Sequence, residues 1–245
     1  GCIPISCINE SRMFLNYTGS FNDVITLAHE LGHAFHNHKL NSRNILNRAN
    51  CLPLMETASM FFETLISDQN GQKSGLEPTL ASLDTSLQRS SEVIIDVYSR
   101  FIFEENLFSK IESGPLTAVE INELMVSAQK QAYGNCLDHN TLHPYMWVNK
   151  YHYYKPGIDF YNFPYIFGLL FSKGIYAKYK IQGKEIIEKF NGLLSSTGMM
   201  GVEECAKLLD IDINSKEFWI SSLQEIGAEV DKFLEIASDP INTSV

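Results

Sequence analysis

Apolar residues recur at helical spacing along most of this 245-residue chain. Val24, Leu27, Ala28, Leu31 and Phe35 fall on one side of a helix predicted over 21–39. Ser20 and Asp23 have the form of a capping box at its start, with the acid near the positive end of the helix dipole. Pro53 suits the first position of a second helix, over 53–68, which the turn-like cluster Asp68-Gln69-Asn70-Gly71-Gln72 should end. Leu80, Leu83, Leu87, Val93, Ile94, Val97 and Phe101 carry a helical pattern from Pro78 to Ser113, closed by Ser113-Gly114-Pro115. Further helices are predicted over 117–132, 162–182, 184–195, 201–209 and 215–237. The stretch 134–160, rich in Gly, Asn, Pro, His and Tyr, reads as loop. Only Arg12–Tyr17, between two turn-like clusters, reads as a strand. The predicted fold class is mainly α, with at most a small β-sheet near the N-terminus.

Composition narrows the partners. The chain is 44% apolar, enough for a sizeable core, and carries a net charge of −10 with no run of Lys or Arg. Neither nucleic acid nor an anionic membrane is expected as a main partner. There is no apolar stretch of transmembrane length, and the first residues have no basic segment followed by an apolar one, so no secretory or membrane-spanning signal is expected. The five cysteines are odd in number, scattered and without CxxC spacing. They suggest a reduced, cytoplasmic chain that uses its cysteines as small buried hydrophobes.

The chemistry concentrates in H-E-L-G-H-A-F-H-N-H at 29–38, which holds four of the seven histidines. His29 and His33 are four apart and share a helix face, about 6 Å apart along the axis. Two imidazoles so placed can converge on one Zn²⁺. Glu30 then stands beside the ion, able to hold and deprotonate a water whose pKa zinc lowers to about 7. His36 is on the same face but about 10 Å from His29 along the axis, so packing or hydrogen bonding suits it better than metal binding. His38 lies beyond the site. A catalytic zinc needs a third protein ligand, and the second predicted helix offers Glu56 and Glu63, seven apart on one face of an apolar segment. Carboxylates among apolar neighbours require a cation or a donor. One ion can hold only one of them, the other serving to orient a ligand, and spacing alone does not choose.

Several stretches together resemble the oligoendopeptidase F group of the thimet oligopeptidase family of zinc peptidases. They are NYTGSFNDVITLAHELGHAFH (16–36), LMETASMFFETL (54–65), YMWVNKYHYYKPGIDFYNFPYIFGLLFSKGIYAKY (145–179), GLLSSTG (192–198) and KLLDIDINSKEFW (207–219). The resemblance implies a helical metallopeptidase domain over 1–238, the C-terminal part of a longer enzyme, with 239–245 as a frayed tail. It implies one Zn²⁺ per chain held by His29, His33 and, in its E-x-x-S setting, Glu56. Glu30 becomes the general base and Glu63 an orienting or structural carboxylate. His152 and Tyr165, with Tyr161 as a second tyrosine, match the histidine–tyrosine loop that stabilises the oxyanion in this family, and Gly157 is placed to act as a hinge. Short peptides are the implied substrates, and the absent N-terminal part of the same enzyme the implied partner. Cys136, Asp138, His139 and His143 match no metal motif of the family. The competing expectation is a zinc-binding helical fragment that is inactive, or only binds peptides, without that part. A carboxypeptidase of the HExxH kind is disfavoured by the residues around Glu56.

Overall fold

The computed structural model describes residues 1–49, 51–73 and 76–238. The described residues are mainly α-helical, with one two-stranded sheet. No described helix is long and apolar enough to cross a membrane. The chain divides into two compact units, Gly1–Arg89 together with Phe167–Val245, and Ser90–Ile166.

The first unit opens with an antiparallel hairpin, β1 (Cys2–Ile5) and β2 (Glu10–Met13), pairing Cys2 with Met13 and Ile5 with Glu10. The predicted strand at 12–17 is thus shorter and earlier, and its partner was not foreseen. The hairpin is mostly exposed and lacks the alternation that marks a half-buried strand. Its reversal depends on Asn9 in the left-handed region, φ +54°, which Asn tolerates better than most residues. Helix α1 (Phe21–Leu40) follows, with the Ser20–Asp23 capping box in place. Its buried face is Ile25, Ala28, Glu30, Gly32, His36 and Leu40, whereas Leu31 is 42% exposed. The predicted apolar side was therefore partly wrong, because the inner face of α1 carries glycine and polar groups.

After a 3₁₀ turn at Leu52–Leu54, α2 runs over Thr57–Lys73. Pro53 belongs to the 3₁₀ turn and not to the helix start, and α2 passes through the cluster expected to end it. Tyr176 anchors this distal part by donating to Asp68 at 2.7 Å. Beyond α3 (Leu76–Ser91), the unit resumes with the rest of α6 (Phe163–Gln182), then α7 (Lys184–Leu194), α8 (Val202–Lys207) and α9 (Lys216–Ala237). The core joins Leu54, Ala58 and Phe61 to Phe171, Ile175 and Phe190, all at most 2% exposed. Cys205 is buried with them, but Cys7 and Cys136 are exposed, so the cysteines are not uniformly core residues.

In the second unit, the helix expected over 78–113 is broken. A π-helical turn at Glu92–Asp96 separates α3 from α4 (Val97–Ile111). Helix α5 (Ala118–Tyr133) begins with a second capping box, Thr117–Glu120, and packs on α4 through Phe103, Met125 and Ala128. The segment that follows is irregular apart from a 3₁₀ turn at Tyr151–Tyr154. Residues 239–245, expected to fray, lie outside the described residues.

His36 is 1% exposed and donates from Nε2 to Thr197 Oγ1 at 2.8 Å, since the Thr197 hydroxyl itself donates to the Leu194 carbonyl. Burial, aided by the charge of nearby His33 and only partly opposed by the Leu194 carbonyl, lowers its pKa to about 4. Between the ordinary histidine range and that value, the unfolded chain binds a proton that the folded chain refuses. Stability present above pH ~6.5 should therefore fall as the pH drops to ~4, by on the order of 3 kcal/mol from this group. Urea unfolding across that window should show the slope, and His36→Gln should remove most of it.

Candidate active site

Helix α1 carries His29, Glu30 and His33, and the residue just before α2 carries Glu56. The two segments meet because Gly32 lies against the start of α2. A Cβ there would fall 2.4 Å from Ser59 Cα and 2.6 Å from the Ala58 carbonyl oxygen. On the other side, Gly168 of α6 also comes close, where a Cβ would meet Glu56 Cβ at 2.7 Å. Two glycines therefore let three backbones converge around Glu56.

The result is a small triangle. His29 Nε2 and His33 Nε2 are 3.1 Å apart, and each is 3.4 Å from Glu56 Oε2. Donors bound to one tetrahedral ion at 2.0–2.2 Å sit about 3.3–3.5 Å apart, so these edges fit a single metal ion with an open fourth position. Among the described residues this is the one group of three His, Cys, Asp or Glu side chains close enough to hold an ion. Residues Cys136, Asp138, His139 and His143 are not brought together so. Asp138 instead accepts from Asn140, and His139 faces the Gly134 carbonyl.

Neighbouring groups fix the triangle. His29 donates from Nδ1 to Glu63 Oε1 at 2.5 Å, which leaves the Nε2 lone pair facing the triangle. Arg89 holds the Glu63 carboxylate with two bonds, from Nε at 2.8 Å and from Nη2 at 3.0 Å. Ser59 donates to Glu56 Oε2 at 3.0 Å. Burial favours neutral Glu63, but the His29 hydrogen bond and the Arg89 charge outweigh it and lower its pKa. Glu56 is lowered likewise, burial being outweighed by the His33 bond and the charges of both histidines. His29 is raised, because Glu63, with the charges of Glu56 and Glu30, overcomes the burial that opposes its protonation. Glu30 is 7% exposed, and its Oε2 has no hydrogen-bond partner among the described residues. A buried carboxylate oxygen in that state suits a water or substrate proton.

Residues 6–225 match the model of peptidase family M3. The chain belongs to peptidase family M3. An oligoendopeptidase F homolog of Borreliella burgdorferi is 23% identical to it, the match covering 83% of this chain and 35% of that protein. Two solved structures share the M3 chain's fold. One, from Chlamydophila abortus, has a TM-score of 0.79 at 20% identity, over 93% of this chain and 38% of that one. The other, oligoendopeptidase-F from Enterococcus faecium, has a TM-score of 0.73 at 18% identity, over 88% and 39%. The chain thus spans somewhat over a third of the length of these relatives.

The remaining predicted residues lie in the second unit. His152 is half-buried in the 3₁₀ turn, with its ring 4.3 Å from that of Tyr153 and 5.9 Å from that of Tyr161. Tyr161 is exposed and packs edge-on to Tyr165, near the start of α6, at 6.4 Å. The sequence assigned no role to Gly32, Arg89, Gly168 or Asn162, and Ser59 entered only as the last residue of the E-x-x-S setting of Glu56. Only Gly32 and Ser59 carried a local signal, as the small residues inside H-E-L-G-H and E-T-A-S.

Proposed function

We propose that this chain is the catalytic part of a zinc-dependent endopeptidase that hydrolyses internal bonds of short, unstructured peptides. The observation that carries the reading is the His29–His33–Glu56 triangle with edges suited to one tetrahedral ion. One Zn²⁺ would be held by His29 Nε2, His33 Nε2 and Glu56. When bound, it supplies Lewis-acid polarisation of the scissile carbonyl and acidifies water. Glu30 takes the proton of the attacking water and delivers it to the leaving amine. Glu63 and Arg89 keep His29 in the tautomer that offers Nε2. His152 and Tyr165, with Tyr161 as the second tyrosine, give hydrogen bonds to the developing oxyanion, a role drawn from the family resemblance. Short peptides are the substrates, the N-terminal part of the same enzyme completes the substrate channel, and the compartment is the cytoplasm.

Elemental analysis and cleavage of a quenched oligopeptide, before and after treatment with a chelator, test the reading. About one zinc per chain, loss of cleavage on chelation, recovery with added zinc and cuts at internal bonds are expected. Cleavage that survives removal of the metal overturns it. One zinc per chain without any cleavage by the whole protein leaves the binding-only alternative.

A further inference from the structure

Asn162 is 6% exposed, and both ends of its amide are engaged. Arg100 donates from Nη1 to Asn162 Oδ1 at 3.1 Å, while Asn162 Nδ2 lies 2.8 Å from His152 Nε2. The guanidinium is itself held by Asp96, one turn earlier, which is buried. Every proton in this row has a fixed direction. A guanidinium has only donors, so the amide atom facing it must be oxygen. The amide atom facing His152 is then the NH₂ group, also a donor, and His152 Nε2 must accept. A neutral imidazole that accepts at one nitrogen carries its proton on the other.

From this row we infer that Asn162 is a positioning residue that holds His152 as the neutral Nδ1–H tautomer, leaving Nδ1–H as its only free donor. The inference rests on the proposed role of His152 and says which atom performs it. Asp96 owes its place to the π-turn at Glu92–Asp96, an irregularity that often marks functional positions. The backbone carrying Asn162 is clamped too. Phe160 adopts φ +56°, a costly conformation for a bulky residue, and its N–H donates to the buried Glu104 at 3.0 Å. Its ring lies between Phe101 and Phe108, at 5.4 and 5.6 Å. The direction of the His152 pKa agrees: burial, then the charges of Arg100 and Lys150, lower it and favour the neutral ring.

Asn162→Asp keeps the shape but replaces the donor facing His152 with an acceptor. The test is a long-range ¹H–¹⁵N spectrum of the ring nitrogens in the whole protein, wild type and N162D. In the wild type at neutral pH, His152 should show a protonated Nδ1 and a bare Nε2. In N162D the proton should appear on Nε2, as a neutral ring or an imidazolium. The Trp147 indole N–H, which donates to Asn122 in the same unit at 2.8 Å, reports in a one-bond ¹H–¹⁵N spectrum of the same sample that this unit is intact. A protonated Nε2 in the wild type, or an unchanged pattern in folded N162D, overturns the inference. Peptide cleavage is the second readout: kcat should fall ten- to a hundredfold with KM nearly unchanged. A switched tautomer with unchanged kcat overturns the oxyanion role of His152 and leaves the tautomer assignment standing, so the two failures are told apart.

Discussion

Replacing Glu30 by glutamine should lower kcat for peptide cleavage by about 10²–10⁴-fold while leaving KM and zinc content close to wild type. Glutamine fills the same slot, which matters because Glu30 is 7% exposed and faces inward from α1. The amide cannot take a proton from water, so the loss falls on the chemical step. Neither neighbouring carboxylate can substitute. Glu56 faces both imidazoles with one oxygen, and Glu63 is committed to His29 and to both bonds from Arg89. Each of those carboxylates has its pKa lowered by those partners in spite of burial, which makes it a weaker base than a free carboxylate. Steady-state kinetics with a quenched peptide, and elemental analysis of the same preparations, check both halves. An E30Q protein that cleaves at the wild-type rate sinks the proposed mechanism. One that loses zinc would show instead that Glu30 supports the metal centre.

What the chain revealed before folding was what is local. His29 and His33 are four apart on one helix face with Glu30 beside them, so their arrangement could be read directly from spacing. Glu56 and Glu63 are related by spacing as well, and spacing left them equivalent. Their difference comes from depth along α1: Glu56 meets both imidazoles, while Glu63, two turns further, meets the back of His29 and Arg89. Arg89 was invisible because nothing in an ordinary polar helix singles out an arginine 26 residues from its partner. The π-turn was invisible for a related reason. It keeps the hydrophobic rhythm of Val93, Ile94 and Val97 close to helical while adding one residue to the turn, and that residue's effect is on Asp96 and Arg100. The misplaced face of α1 has the same cause. A helix that buries Glu30, Gly32 and His36 together with Ile25, Ala28 and Leu40 turns a mixed side to the interior, and periodicity then points only partly to the right one.

Gly32→Ala should abolish stoichiometric zinc binding and destabilise the fold by about 1–3 kcal/mol. Helix propensity alone predicts the opposite sign, since alanine inside a helix is favoured over glycine by about 1 kcal/mol. The contact decides. All three atoms nearest the added methyl are backbone of α2: Ser59 Cα at 2.4 Å, the Ala58 carbonyl oxygen at 2.6 Å and Ser59 N at 2.7 Å. Backbone cannot rotate away as a side chain would, so α1 and α2 must part by about 1 Å to reach ordinary carbon contact distances. Ala58 and Leu54 at that junction are fully buried, so parting opens the core beneath them. Glu56 rides on the segment that moves, whereas His29 and His33 stay with α1. Metal–ligand distances tolerate roughly 0.2 Å, and the triangle edges of 3.1–3.4 Å would open well past that. Gly227→Ala in α9 is the control, because a Cβ there meets nothing within 4 Å. That change should leave zinc content unaltered and raise stability by up to about 1 kcal/mol. Urea unfolding and elemental analysis of both variants give the answer in the sign: a Gly32→Ala protein as stable and as zinc-loaded as Gly227→Ala would mean that the close approach of α1 to α2 does not build the site.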